Sequence, residues 1–137
     1  MYGNTGEKRV LELVSRYGVK TLLESWDEIL SYTERYTRSI IRKLGVRGTY
    51  TAEDYLEYDD ELVGIRVSLS LGEDNVVVDF TGSHKQVDAP INAVYGVTVA
   101  STSFALKSVL DPEMPMNQGF YKIVSINAPE GTILNPK

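Results

Sequence analysis

Polar side chains suited to chemistry concentrate in one stretch of this 137-residue sequence, between positions 79 and 92. The stretch contains the single histidine of the chain, His84, which follows Ser83 and has Asp79 and Asp88 nearby in sequence. A serine, a histidine and an aspartate make up a nucleophilic triad, but a triad depends on geometry, and the side chains of adjacent residues point apart. We interpret His84 as a solvated loop residue, with a catalytic role as the alternative.

The same stretch offers several hydrogen-bonding groups that are expected to lie between a sheet edge and the N-terminus of a helix. Helix N-termini attract anions and carbonyl oxygens, because their first N–H groups have no partner within the helix. The sequence therefore predicts either a loop that binds a substrate or another subunit, or a structural loop that satisfies its own hydrogen bonds. The candidate residues are Asp79, Thr81, Ser83, His84, Gln86 and Asn92.

Other polar patterns exclude several classes of site. The carboxylates of residues 59–61 and 73–74 lack the alternating spacing and turn glycine of a calcium loop, so they are interpreted as solvated loop charge. The sequence contains neither GxxxxGK[ST] nor a GxGxxG after a strand, the patterns of phosphate-binding loops. We assign no catalytic residue and no metal ligand from these patterns.

Composition narrows the function classes further. With no cysteine and one histidine, the chain has no disulfide scaffold, no thiol chemistry and no ordinary zinc or iron–sulfur site. Fourteen Lys and Arg against nineteen Asp and Glu give a net charge of −5, which argues against binding to nucleic acid or to an anionic membrane. No apolar run approaches the roughly 20 residues of a membrane helix, so the default expectation is a soluble, cytoplasmic protein.

Two helices are predicted in the first third of the chain. The first covers residues 4–18, with Asn4 and Glu7 in the pattern of a capping box. The second covers residues 20–44 and ends at Gly45. Its apolar stripe has the 3–4 spacing of one helix face and consists of Leu23, Trp26, Leu30, Thr33, Thr37, Ile40 and Leu44.

The two threonines in this stripe weaken a coiled-coil interpretation, since a stable seam prefers aliphatic side chains. We therefore expect the long helix to pack along a sheet or a partner helix, with self-association as a homo-oligomer as the alternative.

The remainder of the chain alternates between strand and helix patterns. Strands are predicted at 50–56, 63–71, 76–81 and 120–128, with a hairpin turn at 72–75. A helix rich in small residues is predicted at 93–110, capped by Asn92 and buried against the sheet. The predicted fold class is α+β: an N-terminal helical hairpin followed by an antiparallel sheet with one buried helix.

Two long segments of the sequence strongly resemble the hydantoinase B family, which includes N-methylhydantoinase B subunits, the matching part of 5-oxoprolinases and the alpha subunit of acetone carboxylases. They are VDFTGSHKQVDAPINA at 78–93 and VLDPEMPMNQGFYKIVSINAPEGTILNP at 109–136. The segments NTGEKRVLELVSRYG at 4–18 and GTYTAEDYLE at 48–57 are also similar to that family. The resemblance covers nearly the whole chain.

Five residues at three places depart from the family wording. His84-Lys85 stands where Ser-Pro is usual, Ala89 where Gly is usual, and Lys122-Ile123 where Arg-Pro is usual. Any substrate contact that the usual Gly or Arg makes is in doubt at these positions.

The resemblance implies a cyclic-amide hydrolase that depends on ATP. ATP is used through an A-type ATPase partner subunit, a divalent metal is expected in the whole enzyme, and the substrate is a small cyclic amide such as a hydantoin or 5-oxoproline. Carboxylation of a ketone, as in acetone carboxylase, is the alternative activity, and a non-catalytic subunit-interaction module is the alternative from another class.

Family members are several times longer, so residues 1–137 are expected to form one domain inside a longer B-type subunit. Residues 1–45 would be its helical part and residues 46–137 its mixed part. On this expectation the 137 residues alone are inactive, and the remainder of the same subunit is their first partner.

Overall fold

The computed structural model describes residues 3–137, with side chains from Thr5 onward, and shows an α+β fold with one open sheet. The α+β class predicted from the sequence is confirmed. The helices are α1 (Gly3–Tyr17), α2 (Val19–Leu44), α3 (Tyr95–Leu110) and α4 (Gln118–Tyr121), and the strands are β1 (Gly48–Tyr58), β2 (Glu61–Leu71), β3 (Val76–Asp79) and β4 (Val124–Asn127).

The four strands lie in the order β1-β2-β3-β4. The pairs β1–β2 and β2–β3 are antiparallel hairpins, the second through the turn predicted at 72–75. β4 pairs with β3 in parallel, so the sheet is mixed rather than wholly antiparallel. A parallel pair requires a long crossover connection, and here the segment that contains α3 and α4 provides it.

The strand predicted at 120–128 begins later than expected, because its first residues form the short helix α4. Asn117 caps this helix by accepting a hydrogen bond from the Gly119 N–H at 2.8 Å, and its amide donates to the Thr33 hydroxyl at 2.8 Å. Gly119 lies so close to α2 that a Cβ there would come 2.1 Å from the Leu30 carbonyl oxygen. The alternation of Val124 and Ile126 is the part of the pattern that reflects a strand.

α1 and α2 meet at Gly18, whose φ of +81° explains the glycine at this junction. Both helices occur where the sequence predicts them, and Gly45 ends α2 in the left-handed conformation. Within residues 5–17 only Val14 is half-buried. The capping role expected for Asn4 lies outside the described side chains.

The buried stripe of α2 lies in its C-terminal half, at Thr33, Thr37 and Ile41. The helix packs on the sheet and on α4 there, which confirms the expected packing along a sheet. Leu23 and Trp26, in the N-terminal half of the predicted stripe, are 50% and 44% exposed. Since Thr33 and Thr37 are buried within this chain, they are not available as a seam for self-association.

The core lies on one face of the sheet and has two clusters. The larger joins Ile41 of α2, Phe120 of α4 and sheet residues such as Val76 and Val124. The smaller joins Val63 of β2 to the C-terminal segment through Ala128, Ile133 and Leu134.

α3 covers the sheet less completely than the sequence suggests, since only Thr98 and Ser103 of this helix are buried. Phe104 and Val109 on its outer face are 74% and 81% exposed. Nowhere in residues 3–137 does a helix combine the length and apolar character needed to cross a membrane.

Candidate functional site

A hydrogen-bonded polar cluster lies where the two parallel strands end. Asp79 is the last residue of β3 and Asn127 the last of β4, and the two are opposite each other in the register. The Asn127 amide donates to Asp79 Oδ1 at 2.8 Å. Carboxyl ends of parallel strands meet at one sheet edge, which places both side chains together there.

Thr81 completes this cluster from the loop that follows β3. Its backbone N–H and its hydroxyl both donate to Asp79 Oδ1, at 2.9 Å and 2.7 Å. The hydrogen bonds from Thr81, followed by the one from Asn127, hold the pKa of Asp79 below its ordinary value of 3.8. The cluster therefore presents an ionised carboxylate at neutral pH. The sequence pattern does not single out Asn127, because only the parallel pairing brings it here.

The cluster belongs to a row of polar residues on one face of the sheet. Thr51, Ser68, Asp79 and Asn127 lie opposite one another in a row across all four strands, so they share this face. In the next row the hydroxyls of Thr49 and Ser70 are 2.9 Å apart. The opposite face of β2, β3 and β4 packs on the core, whereas β1 is exposed along its whole length.

Ser83 has a structural task in the loop. Its hydroxyl accepts from the Arg66 N–H at 3.1 Å and donates to the Arg66 carbonyl at 3.0 Å, in the way a neighbouring strand would pair. The next backbone N–H, that of His84, donates to the Gly64 carbonyl at 2.8 Å. The loop thus continues along β2 after β3 has ended.

His84 is not part of a triad in the described structure. Its ring Nδ1 lies 2.8 Å from the Lys85 carbonyl oxygen, and the side chain is exposed. The hydrogen-bonded oxygen of Asp79 is engaged by Thr81 and Asn127, while the Ser83 hydroxyl is bonded to the backbone of Arg66. The geometry agrees with a solvated loop histidine.

Asn92 does not cap the following helix, contrary to the prediction. α3 begins at Tyr95 with Val94 at the N-cap position and no side-chain cap. The Asn92 side chain instead accepts from the Val87 N–H at 3.0 Å and donates to the Val87 and Ala89 carbonyls at 2.7 Å and 3.0 Å. It fixes the 87–92 turn, a task for which an amide, with both a donor and an acceptor, is suited.

Gln86 ties the loop to the C-terminal segment. Its Oε1 accepts from the Lys137 N–H at 2.7 Å, and its own N–H donates to the Gly131 carbonyl at 2.9 Å. The six predicted residues therefore do not form a single cluster in the structure. Asp79 and Thr81 contact each other directly, while Ser83, His84, Gln86 and Asn92 bond to separate parts of the backbone.

The other carboxylates also have structural positions. Asp59 and Asp60 form the β1–β2 turn with φ of 50° and 62°, a conformation that Asp tolerates better than most residues. Asp74 pairs with Arg38 at 2.8 Å and Arg42 at 3.1 Å, which joins the β2–β3 turn to α2 and lowers the pKa of Asp74. Within residues 3–137 no three His, Asp or Glu side chains come together as metal ligands.

An apolar groove of about 370 Å³ separates α3 from the sheet. Val67, Leu69, Val78 and Phe80 form its sheet wall, and Ala105 and Leu106 lie on the α3 wall. The groove lies on the core face, away from the polar row that contains Asp79. Two separate surfaces of different chemistry therefore flank the sheet.

Comparison with known proteins shows similarity over the whole described chain. The profile of the Hydantoinase B/oxoprolinase family matches residues 3–137. An uncharacterized protein of Methanocaldococcus jannaschii is 50% identical over 98% of this chain. A Pseudomonas protein, provisionally named as the B-type subunit of a D-/L-hydantoinase, is 34% identical over 96% of this chain.

A solved structure agrees with the sequence comparison. The ATP-dependent caprolactamase from Pseudomonas jessenii superposes with a TM-score of 0.88 at 26% identity, over 98% of this chain and 24% of that chain. The present chain spans about a quarter of the length of the two curated relatives, 23% and 24%.

Proposed function

Because the chain belongs to the hydantoinase B/oxoprolinase family, we propose that it forms part of a B-type subunit that hydrolyses a cyclic amide together with an A-type ATPase subunit. The observation that carries this proposal is the match over residues 3–137, supported by 34% identity to a relative named as the B-type subunit of a hydantoinase. The similarity to a solved ATP-dependent caprolactamase supports a lactam or related ring as the substrate class.

The exposed apolar surface supports the proposal that these residues are one domain of a longer subunit. Monomeric soluble proteins rarely expose large contiguous apolar patches. Here the outer face of α3 and much of α1 and the first half of α2 are apolar and exposed. Further chain of the same subunit would cover these faces, which agrees with the fourfold greater length of the relatives.

Transfer of the γ-phosphoryl group of ATP to the amide oxygen would make the amide carbon more electrophilic and leave ADP. Water would add to that carbon, the ring C–N bond would break as the nitrogen takes up a proton, and the resulting acyl phosphate would be hydrolysed by a second water to a carboxylate and inorganic phosphate. The described residues contribute to such a reaction by binding rather than by covalent or acid–base steps. The ionised Asp79, held by Thr81 and Asn127, offers an acceptor to an amide N–H of the substrate or to a donor from the partner subunit.

The divalent metal that the family resemblance implies has no ligand set among residues 3–137. Asp74 is paired with two arginines, so its charge is already compensated. We therefore assign no metal ligand in this part of the chain and derive no step through a metal. We also propose that residues 1–137 alone are inactive.

A substrate panel tests the proposal. The longer subunit that contains this segment is purified with its A-type partner and supplied with ATP and Mg²⁺. Hydantoin, 5-oxoproline, caprolactam, or acetone with bicarbonate serves as the substrate. We expect ring opening of one cyclic amide with matching release of phosphate. Carboxylation of acetone without ring opening would replace the proposal by the ketone alternative, and no turnover of any substrate would favour a non-catalytic module.

A further inference from the structure

The two oxygens of the Asp79 carboxylate have different surroundings. Oδ1 accepts the Thr81 N–H at 2.9 Å, the Thr81 hydroxyl at 2.7 Å and the Asn127 amide at 2.8 Å. Oδ2 accepts no hydrogen bond from residues 5–137. Among these residues no buried polar side-chain atom lacks a hydrogen-bond partner, so Oδ2 is open to solvent. The carboxylate is thus held through one oxygen, and the other is available to a ligand.

The charge of Asp79 is not compensated by a cation. None of the ion pairs among residues 5–137 includes Asp79. Glu34 and Asp74, by contrast, both pair with Arg38. The neutral donors to Asp79 hold its pKa below 3.8, so the carboxylate is ionised at neutral pH. Because an ionised carboxylate only accepts hydrogen bonds, the free oxygen requires a donor from its ligand.

The position of Asp79 in the sheet favours a small ligand. Asp79 and Asn127 end the parallel strands β3 and β4, which the segment that contains α3 connects. In open sheets with parallel strands, ligands bind outside these carboxyl ends. Ser68 and Thr51 lie across the sheet from Asp79 and contribute neutral hydroxyls to the same face. Neutral hydroxyls beside a single charged acceptor suit an uncharged molecule with an N–H group, since its polar atoms need hydrogen bonds rather than opposite charges.

We propose that Asp79 is a specificity-determining residue that selects cyclic amides with a free N–H at the ring nitrogen of the bond that opens. The substrate N–H would donate to Oδ2, while Thr81 and Asn127 act as positioning residues through their bonds to Oδ1. This inference rests on the proposed function, since it names the rings that the enzyme accepts. A ring nitrogen that carries a methyl group has no hydrogen to donate, so a site built to receive one rejects the methylated ring.

The preference of the complete enzyme between two substrates tests the inference. One substrate is the cyclic amide that the parent enzyme hydrolyses, among hydantoin, 5-oxoproline and caprolactam. The other is the same ring methylated at the nitrogen of the bond that opens. In Asp79→Asn, the Thr81 and Asn127 donors keep an oxygen at the Oδ1 position, so the new amide places N–H donors where Oδ2 lies. Asp88→Asn is the matched control, because it makes the same change of charge at an exposed position in the following loop.

The readout is kcat/KM for the free ring divided by kcat/KM for the methylated ring, because a loss of folded enzyme lowers both values alike. We expect this ratio to be at least about a hundred in the parent and in Asp88→Asn, and to fall about tenfold or more in Asp79→Asn. If Asp79→Asn does not fold, Asn127→Ala replaces it. That variant removes one positioning donor at an exposed residue, and we expect its ratio to fall about twofold to tenfold.

Two results would overturn the inference and leave the proposed function standing. The first is a parent enzyme that opens both rings at similar rates. The second is a ratio that does not change in Asp79→Asn, or in Asn127→Ala where that variant replaces it, which would indicate that Oδ2 bonds to another part of the complex. Failure of the parent to open any ring, by contrast, would disprove the proposed function and the inference together.

Discussion

Asp79 is the predicted site residue whose local structure bears most directly on the proposed function. It closes β3, lies on the polar sheet face, and receives three hydrogen bonds on one oxygen. Those donors favour the charged form, so the pKa lies below 3.8 and the carboxylate is ionised at neutral pH. Because the folded pKa is lowered, the resulting stabilisation is present at neutral pH and is lost as the pH falls through the folded pKa.

Removal of one donor should move this titration. Asn127→Ala deletes the amide at 2.8 Å, so we expect the pKa of Asp79 to rise toward its ordinary value. The carboxyl carbon shift of Asp79, followed by NMR from pH 2 to 6, measures the change. Asp74 is the internal control, since arginines rather than Asn127 lower its pKa. A titration of Asp79 that does not move would show that Thr81 alone determines it.

The charge of Asp79 should also affect turnover if the polar face contacts the substrate. Asp79→Asn keeps the size and an acceptor oxygen but removes the charge. A hydrogen bond to a charged group contributes about 1.5–3 kcal/mol, so we expect turnover by the complete enzyme to fall about tenfold or more. Steady-state kinetics with ATP and the ring substrate measure this. Unchanged turnover in a normally folded variant would remove Asp79 from the site.

Asn92 should behave differently, because it holds a turn. Asn92→Ala leaves the Val87 N–H and two carbonyls without their partner, which we expect to cost about 1–3 kcal/mol of unfolding free energy. Asn92→Asp keeps the acceptor for the Val87 N–H but turns a carboxylate oxygen toward the Val87 and Ala89 carbonyls, so we expect its loss to be at least as large. Denaturant unfolding compares the two variants. Equal stability of Asn92→Ala and the parent would contradict the structural role.

At the scale of elements, the close approach of α4 to α2 organises the core face. Thr33 and Thr37, which are poor seam residues, leave room for the segment that contains α4 and form hydrogen bonds with it. Gly119 allows the backbones of α4 and α2 to come into contact. Phe120 is then fully buried beside Ile41.

Two glycine substitutions distinguish the effect of this contact on stability from the effect of helix propensity. Gly119→Ala places a Cβ 2.1 Å from the Leu30 carbonyl oxygen, a backbone atom, so we expect a loss of about 1–3 kcal/mol or more of unfolding free energy. Gly96→Ala in α3 meets nothing within 4 Å and should stabilise the protein by about 0.5–1 kcal/mol. Thermal unfolding of both variants gives the comparison. A tolerated Gly119→Ala would contradict the contact between α4 and α2.

Local patterns predict the elements well and their pairing poorly. The glycines at 18 and 45 and the alternation at 63–71 locate α1, α2 and β2 closely, because caps and period-two burial are local properties. The sequence does not predict the helix α4, because four residues show no periodicity and Gly119 is explained only by its contact with α2. The sequence does not predict Asn127 as a site residue either, because the parallel pairing of β3 and β4 brings together residues 48 positions apart.

At the scale of the whole molecule, three surfaces have different chemistry. The outer faces of the helices are apolar, one sheet face is polar around Asp79, and the tip of the β1–β2 hairpin at residues 57–61 is acidic. A domain with three such surfaces is expected to have neighbours on more than one side. This arrangement agrees with the proposal that the chain is one domain of a longer subunit.

The most direct measurement of the central claim is the dependence of ATP hydrolysis on the partner subunit and on the ring substrate. Phosphate release is followed with the A-type subunit alone, with the longer B-type subunit alone, and with both, each with and without a cyclic amide. The account predicts sustained phosphate release only when both subunits and the amide are present. The number of ATP molecules hydrolysed for each ring opened should be constant. Ring opening without ATP, or ATP hydrolysis by the complex that is indifferent to every cyclic amide, would contradict it.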